Sequence, residues 1–224
     1  MHRRTRHFNS RDAGAVLSVD SRYIVGLSDN DGVGTWTDRT RNGNNLTQNT
    51  AALKPTYQVG EQGGCPVVRY IRTIVNADMQ TLSFTTAITT LRSFVAFVKQ
   101  DGLNGNFAPA ILGHSSAYDF AGAPGNSNTG YLYSITYAAA AVLNGTTRRN
   151  GVTYNNNTTM ADIPSIISLV TTGNVSASRL SKDRSFNSWW GDIGHMSIFT
   201  TALTDPLKKR LEHATAYSFK IACS

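Results

Sequence analysis

Glu61 and Glu212 are the only glutamates in the chain. A β-scaffold glycosidase needs two carboxylates on one strand, about 5–9 Å apart. An E-x-D-x-x-E run would supply them, and none occurs. Glu61 stands just before Gly63-Gly64 in a turn-rich stretch, and Glu212 falls in a helical pattern, so neither has a partner at alternate strand positions. Gly113-His114-Ser115-Ser116-Ala117 approaches the G-x-S-x-G elbow of a nucleophilic serine. That elbow requires a helix immediately after the serine to supply oxyanion N–H groups. Tyr118-Asp119-Phe120-Ala121-Gly122-Ala123-Pro124-Gly125 follows instead, and it reads as a loop. Asp29-Asn30-Asp31-Gly32 begins like a calcium loop, but position twelve is Thr40 where a bidentate glutamate belongs. Asp29, Asp31 and Asp38 are candidate calcium ligands, and turn-forming side chains on the alternative reading. His2, His7, His114, His195 and His213 do not cluster, and Cys65 and Cys223 lack zinc spacing. The cysteines are expected as two free thiols, with a Cys65–Cys223 disulfide as the alternative. No metal, cofactor or catalytic residue is expected.

Binding chemistry has more support. A sugar site combines aromatic faces for the apolar side of the ring with planar polar groups for its hydroxyls. Tyr131, Tyr133, Tyr137, Trp189 and Trp190 could supply the faces, and Asn155, Asn156 and Asn157 the polar groups. Tyr131, Tyr133, Trp189 and Asn156 are the candidates of choice. Adjacent Trp189 and Trp190 would point to opposite faces of a strand, one of them into the core. Arg148-Arg149, between Asn144-Gly145 and Asn150-Gly151, reads as a solvated hairpin tip. Without a basic face interleaved with aromatics, specific nucleic-acid readout is not expected.

The positive charge is concentrated elsewhere. The net charge is +7, and Arg3, Arg4, Arg6 and Arg11 lie in an N-terminal stretch without an acid before residue 12. Residues 1–12 therefore read as a basic arm suited to an anionic or clamped neighbour, and residues 13–224 as one domain. That stretch lacks the apolar run of a secretory signal, and no segment approaches the 18 apolar residues of a membrane helix. The expectation is a protein made in the cytoplasm, with no membrane partner.

The elements that must position these groups are strands. The chain holds 26 Thr, 20 Ser, 18 Asn and 19 Gly, and only 16% of it is charged. Thr favours strands, while Asn and Gly favour turns. Strands are expected at Val67–Ile71, Ser93–Lys99, Ala108–Leu112, Tyr131–Tyr137, Ile166–Thr172 and Trp189–Phe199. Turn-rich segments at 101–106, 122–130, 144–151 and 173–178 separate them. One helix is expected after Thr204 as N-cap, with Asp205 and Pro206 in its first turn. Leu207, Leu211, Ala214 and Ile221 would face the sheet, and Lys208, Lys209 and Arg210 would face away.

Two stretches carry a resemblance. The first runs Gly26-Leu27-Ser28-Asp29-Asn30-Asp31-Gly32-Val33-Gly34-Thr35-Trp36-Thr37-Asp38 and on through Asn42-Gly43-Asn44-Asn45-Leu46-Thr47-Gln48 to Lys54-Pro55-Thr56-Tyr57. The second is Gly191-Asp192-Ile193, continuing through Ile198-Phe199 to Thr201-Ala202-Leu203-Thr204-Asp205 and the helix. Together they resemble the concanavalin A-like lectin/glucanase jelly rolls, in particular laminin-G-like modules of bacteria and phages. The chain has Thr40-Arg41 where that family has Ser-Gly, and His195 where it usually carries an acid. The resemblance implies an all-β antiparallel jelly-roll sandwich with one C-terminal α-helix. Two functions are then expected. One is a non-catalytic structural or adhesion protein of a virus particle, such as a tailed-phage head-decoration protein, which forms oligomers and uses its arm to hold neighbouring virion proteins. The other is a carbohydrate-binding module that recognises cell-surface glycans.

Overall fold

A computed structural model describes residues 10, 13–71, 79–101, 110–122, 132–154, 163–184 and 188–223. Its strands are β1 (Leu17–Asp20), β2 (Thr35–Trp36), β3 (Leu46–Thr47), β4 (Thr56–Gln62), β5 (Cys65–Tyr70), β6 (Leu82–Gln100), β7 (Leu112–Gly113), β8 (Thr146–Arg149), β9 (Val152–Tyr154), β10 (Ser165–Leu180) and β11 (Gly191–Phe199). The one-turn helix α1 (Ala140–Leu143) precedes β8, and α2 (Asp205–Ser218) follows β11. All the described strand pairs are antiparallel. The chain is an all-β protein with a C-terminal helix.

The order β4-β5-β11-β6-β10-β8-β9 forms the main path. Two strands are long enough to change partners along their length. The second half of β6 lies between β10 and β11, and its first half pairs with β3 and the end of β10. Register shifts between Val170 and Arg179 mark where β10 bends with it, since an extra residue kinks a strand and raises its twist. The segment 173–178, expected as a turn between strands, lies inside β10 as part of this bend. The expected strand at Tyr131–Tyr137 is not one in its described part, where residues 132–137 form turns and adjacent Leu132 and Tyr133 are both buried. Of the run expected at Ala108–Leu112, the described part contributes only Leu112 to a strand, in β7.

Period-2 alternation in β6 divides the interior in two. Phe94, Ala96 and Val98 enter the larger core with Trp36, Leu46, Leu169 and Ile193. Val95 and Phe97 face the other way, into a second core closed by Leu203, Leu211 and Phe219 around α2. Phe219 stacks on Phe97 with ring centroids 4.4 Å apart. A Cβ on Gly194 would meet Phe97 at 2.5 Å and Phe219 at 2.6 Å, so only glycine lets the end of α2 seat here.

The helix begins at Thr204 as expected, but its polar residues are not all on the outside. Lys208 and Glu212 are 2% and 1% exposed. Lys208 Nζ reaches Asp205 at 2.8 Å. Glu212 accepts from Ser168 Oγ and lies 3.4 Å from Arg148. Arg148 is therefore no solvated tip: it is a buried β8 side chain that neutralises a carboxylate under the helix. The tip itself is Asn150-Gly151, both with positive φ. Cys65 and Cys223 are free and half-buried beside the same core. Among the described residues, no helix is long and apolar enough to cross a membrane.

Candidate binding cleft beneath the C-terminal helix

The motif residues turn out to be devices that hold the chain. Asp38 is buried and its carboxylate accepts four hydrogen bonds, from the Ser18 and Thr40 N–H groups, Thr40 Oγ1 and the Asn44 N–H. Thr40 reinforces this turn: its hydroxyl bonds Asp38 at 2.6 Å and accepts from the Asn42 N–H. Asn44 then ties the turn to β6 through Thr86, accepting its N–H and donating to its carbonyl. Asp29 accepts from the Val59 N–H, and Asp31 from the Ser28 N–H. Of the three candidate calcium ligands, Asp31 and Asp38 thus hold turns, and Asp29 ties its loop to β4.

Asp192 of the Gly-Asp-Ile strand is 2% exposed and forms a bidentate pair with Arg69 of β5, at 2.7 and 3.0 Å. Arg69 also contacts Glu61 at 3.2 Å. Hydrogen bonding to Asp192 raises the guanidinium pKa above its ordinary value, and desolvation opposes the rise. The two glutamates therefore lie in separate ion pairs. His114 accepts through Nδ1 from the Ser116 and Ala117 N–H groups, which makes the elbow-like segment a side-chain-capped turn.

The sequence-predicted binding residues fare differently. Arg3, Arg4, Arg6, Arg11, Tyr131 and Asn156 lie outside the described residues. Tyr133 and Trp189 are corrected from glycan candidates to core residues: they are 3% and 0% exposed, and neither ring has a face open to a sugar. Tyr137 is 58% exposed, and its ring lies 6.1 Å from that of Tyr118.

A cleft of about 790 Å³ opens between β1, β11 and α2, within the size range of ligand pockets. Its floor is a chain of polar groups. Ser10 Oγ contacts Ser18 Oγ at 2.6 Å, Ser18 contacts Ser197 at 3.1 Å, and Ser197 contacts His195 Nε2 at 2.8 Å. His195 Nδ1 lies 3.9 Å from Asp20 Oδ2. Asp20 in turn takes two hydrogen bonds from the Arg22 guanidinium, at 2.9 and 2.6 Å. Sheet register builds the chain, because Ser18 and Asp20 of β1 oppose Ser197 and His195 of β11.

The electrostatics follow from burial. Desolvation pushes the His195 imidazole down to about 4; Asp20 opposes this, and Arg22 and Arg39 add to it. The ring is neutral at ordinary pH. Burial pushes the Asp20 carboxyl up, but the Arg22 hydrogen bonds and the nearby positive charge outweigh it and hold the pKa below the ordinary value. Asp20 and Arg22 thus neutralise each other. Arg39 and Lys220 also line the cleft, and neither has a carboxylate partner among the described residues. Arg39 lies over the Tyr23 ring, 3.1 Å from its centroid. Among the described residues, the cleft therefore carries two uncompensated positive charges.

Sequence reading missed this site because its residues come from opposite ends of the chain with no shared spacing. The one signal was His195, noted where the resembled family carries an acid. No protein family, curated protein or solved structure matches the chain.

Proposed function

We propose that this chain is a non-catalytic structural and adhesion protein of a virus particle. On this reading residues 13–224 form a concanavalin A-like jelly roll, and the basic arm of residues 1–12 anchors it to neighbouring virion proteins in an oligomeric shell. The observation that carries the reading is the attachment of Ser10 to the folded domain. The Ser10 carbonyl accepts from the Ala13 and Ala15 N–H groups, and its hydroxyl bonds Ser18 of β1. Ser10 is thereby tied to β1, which gives the arm a point of attachment on the folded domain. The two-layer jelly roll is supported by the partner exchange along β6 and β10. The absence of catalysis is supported by the structural ion pairs that occupy both glutamates.

Deleting residues 2–9 tests the anchor while leaving Ser10 in place. Sedimentation and co-purification with particles should show loss of the oligomer or of particle incorporation, at an unchanged unfolding midpoint. Full incorporation of the deleted protein would overturn the reading.

One observation favours a second reading, a carbohydrate-binding module. Tyr118 and Tyr137 form an exposed aromatic pair, with Arg184 4.7 Å from the Tyr118 ring centroid. The apolar face of a pyranose can stack on such rings. A monomer that binds a glycan array and loses that binding on Tyr137→Ala would establish this reading in place of the first.

A further inference from the structure

We infer that the cleft between β1 and α2 is a docking groove for an acidic, extended peptide segment of a neighbouring protein. The inference rests on the assembly reading above and names the chemistry of the partner.

Charge complementarity comes first. With Asp20 paired to Arg22 and His195 neutral, Arg39 and Lys220 leave the groove positive, and positive clefts concentrate anionic partners. The like-charged arm of this chain is therefore not the occupant. An extended segment can place its acids on Arg39 and Lys220 and an apolar residue beside Asp20.

Shape agrees. From Leu211 to Phe219 the groove follows α2 for about 12 Å, the length of about four extended residues. Tyr23, Tyr217 and Ile221 offer accessible apolar surface along that line. Continuity with the anchor is the last point. Ser10, the root of the arm, also lines the groove, so a neighbour gripped by the arm is delivered to it.

The probe is fluorescein-labelled Gly-Glu-Leu-Asp-Glu-Leu-amide, with the Gln/Asn version as control, followed by anisotropy on the full chain. Arg39→Gln/Lys220→Gln should weaken the acidic peptide about tenfold or more. Ala214→Phe, which fills the groove without changing charge, should weaken it similarly. The exposed pair Arg41→Gln/Lys209→Gln, matched in charge but outside the groove, should stay within about twofold. Unfolding midpoints verify that each variant is folded. The inference is overturned by equal binding in all variants, by equal binding of the Gln/Asn peptide, or by displacement with inorganic phosphate at lower concentration than with unlabelled peptide. Self-association abolished by Ala214→Phe would assign the groove to a second copy and equally overturn it. Protein lacking residues 2–9 separates the two readings. Peptide binding that vanishes there with the groove intact belongs to the arm and refutes the groove. Lost groove binding with arm-dependent incorporation retained refutes the groove and leaves the anchor standing.

Discussion

Acidification should destabilise this protein through His195. The folded imidazole is held at about 4, against an ordinary value of 6.5, mainly by burial. Between those values the unfolded chain binds a proton that the folded chain refuses, so stability rises with pH across the window. The contribution is complete above the unfolded value and is lost as pH falls through it. One-site linkage gives a loss of about 2 kcal/mol between neutral pH and pH 5, and about 3 kcal/mol by pH 4. Asp20 acts in the same direction but later, since its depressed folded value withdraws stability only below about pH 4. Asp192, whose carboxyl is pushed up by burial against the Arg69 hydrogen bond, acts in the opposite sense. In the interval from about pH 6.5 to 5 the difference between the wild type and His195→Gln therefore isolates the histidine. Urea unfolding followed by tryptophan fluorescence at several pH values in that interval, on the wild type and on His195→Gln, measures it. The variant keeps a hydrogen-bonding group beside Ser197 and removes the titration, so its stability should be flatter by about 2 kcal/mol. Parallel curves for the two proteins, or an NMR titration placing His195 near 6.5, would refute the argument.

Three further substitutions probe how the fold is held. Arg69→Met strands the buried Asp192 carboxylate and should cost about 3 kcal/mol in chemical denaturation, with most of it recovered by also replacing Asp192 with Asn. Gly191→Ala puts a Cβ 2.1 Å from the Lys99 carbonyl oxygen at a φ of +133°, so a loss of about 3 kcal/mol or more is expected in the same assay. Asp38→Ala removes the acceptor of four hydrogen bonds and should cost about 2–3 kcal/mol, with amide exchange in residues 38–45 rising before global unfolding.

Strand chemistry was legible wherever β-branched and aromatic residues run together, as in Val67–Tyr70, Phe94–Val98 and Ile193–Phe199. It was not legible where pairing partners compensate for weak local preference. The first half of β6, Leu82–Leu91, is rich in Thr and mostly exposed, and β3 and the end of β10 hold it as strand. The stretch around Leu132 and Tyr133 misled in the opposite sense: alternation is broken there, because two adjacent side chains point inward from a turn. Helix α2 was legible from Thr204, Asp205 and Pro206, but the inward turn of Lys208 and Glu212 was not. A buried glutamate reads as surface until its partners are known, and Ser168 and Arg148 come from β10 and β8.

The same reasoning separates fold from function in the resemblance. Asp38 spends its lone pairs on the 38–44 turn and on β1, Asp192 is consumed by Arg69, and Gly191 and Gly194 exist because backbone and aromatic rings approach too closely for a Cβ. These residues are engaged in holding the fold. On the proposed reading, function lies in other residues: His195, and Arg39 and Lys220, whose charges no described carboxylate cancels. A neutral His195 adds no charge to the floor of the cleft, so under the proposed docking Arg39 and Lys220 set the sign of the partner.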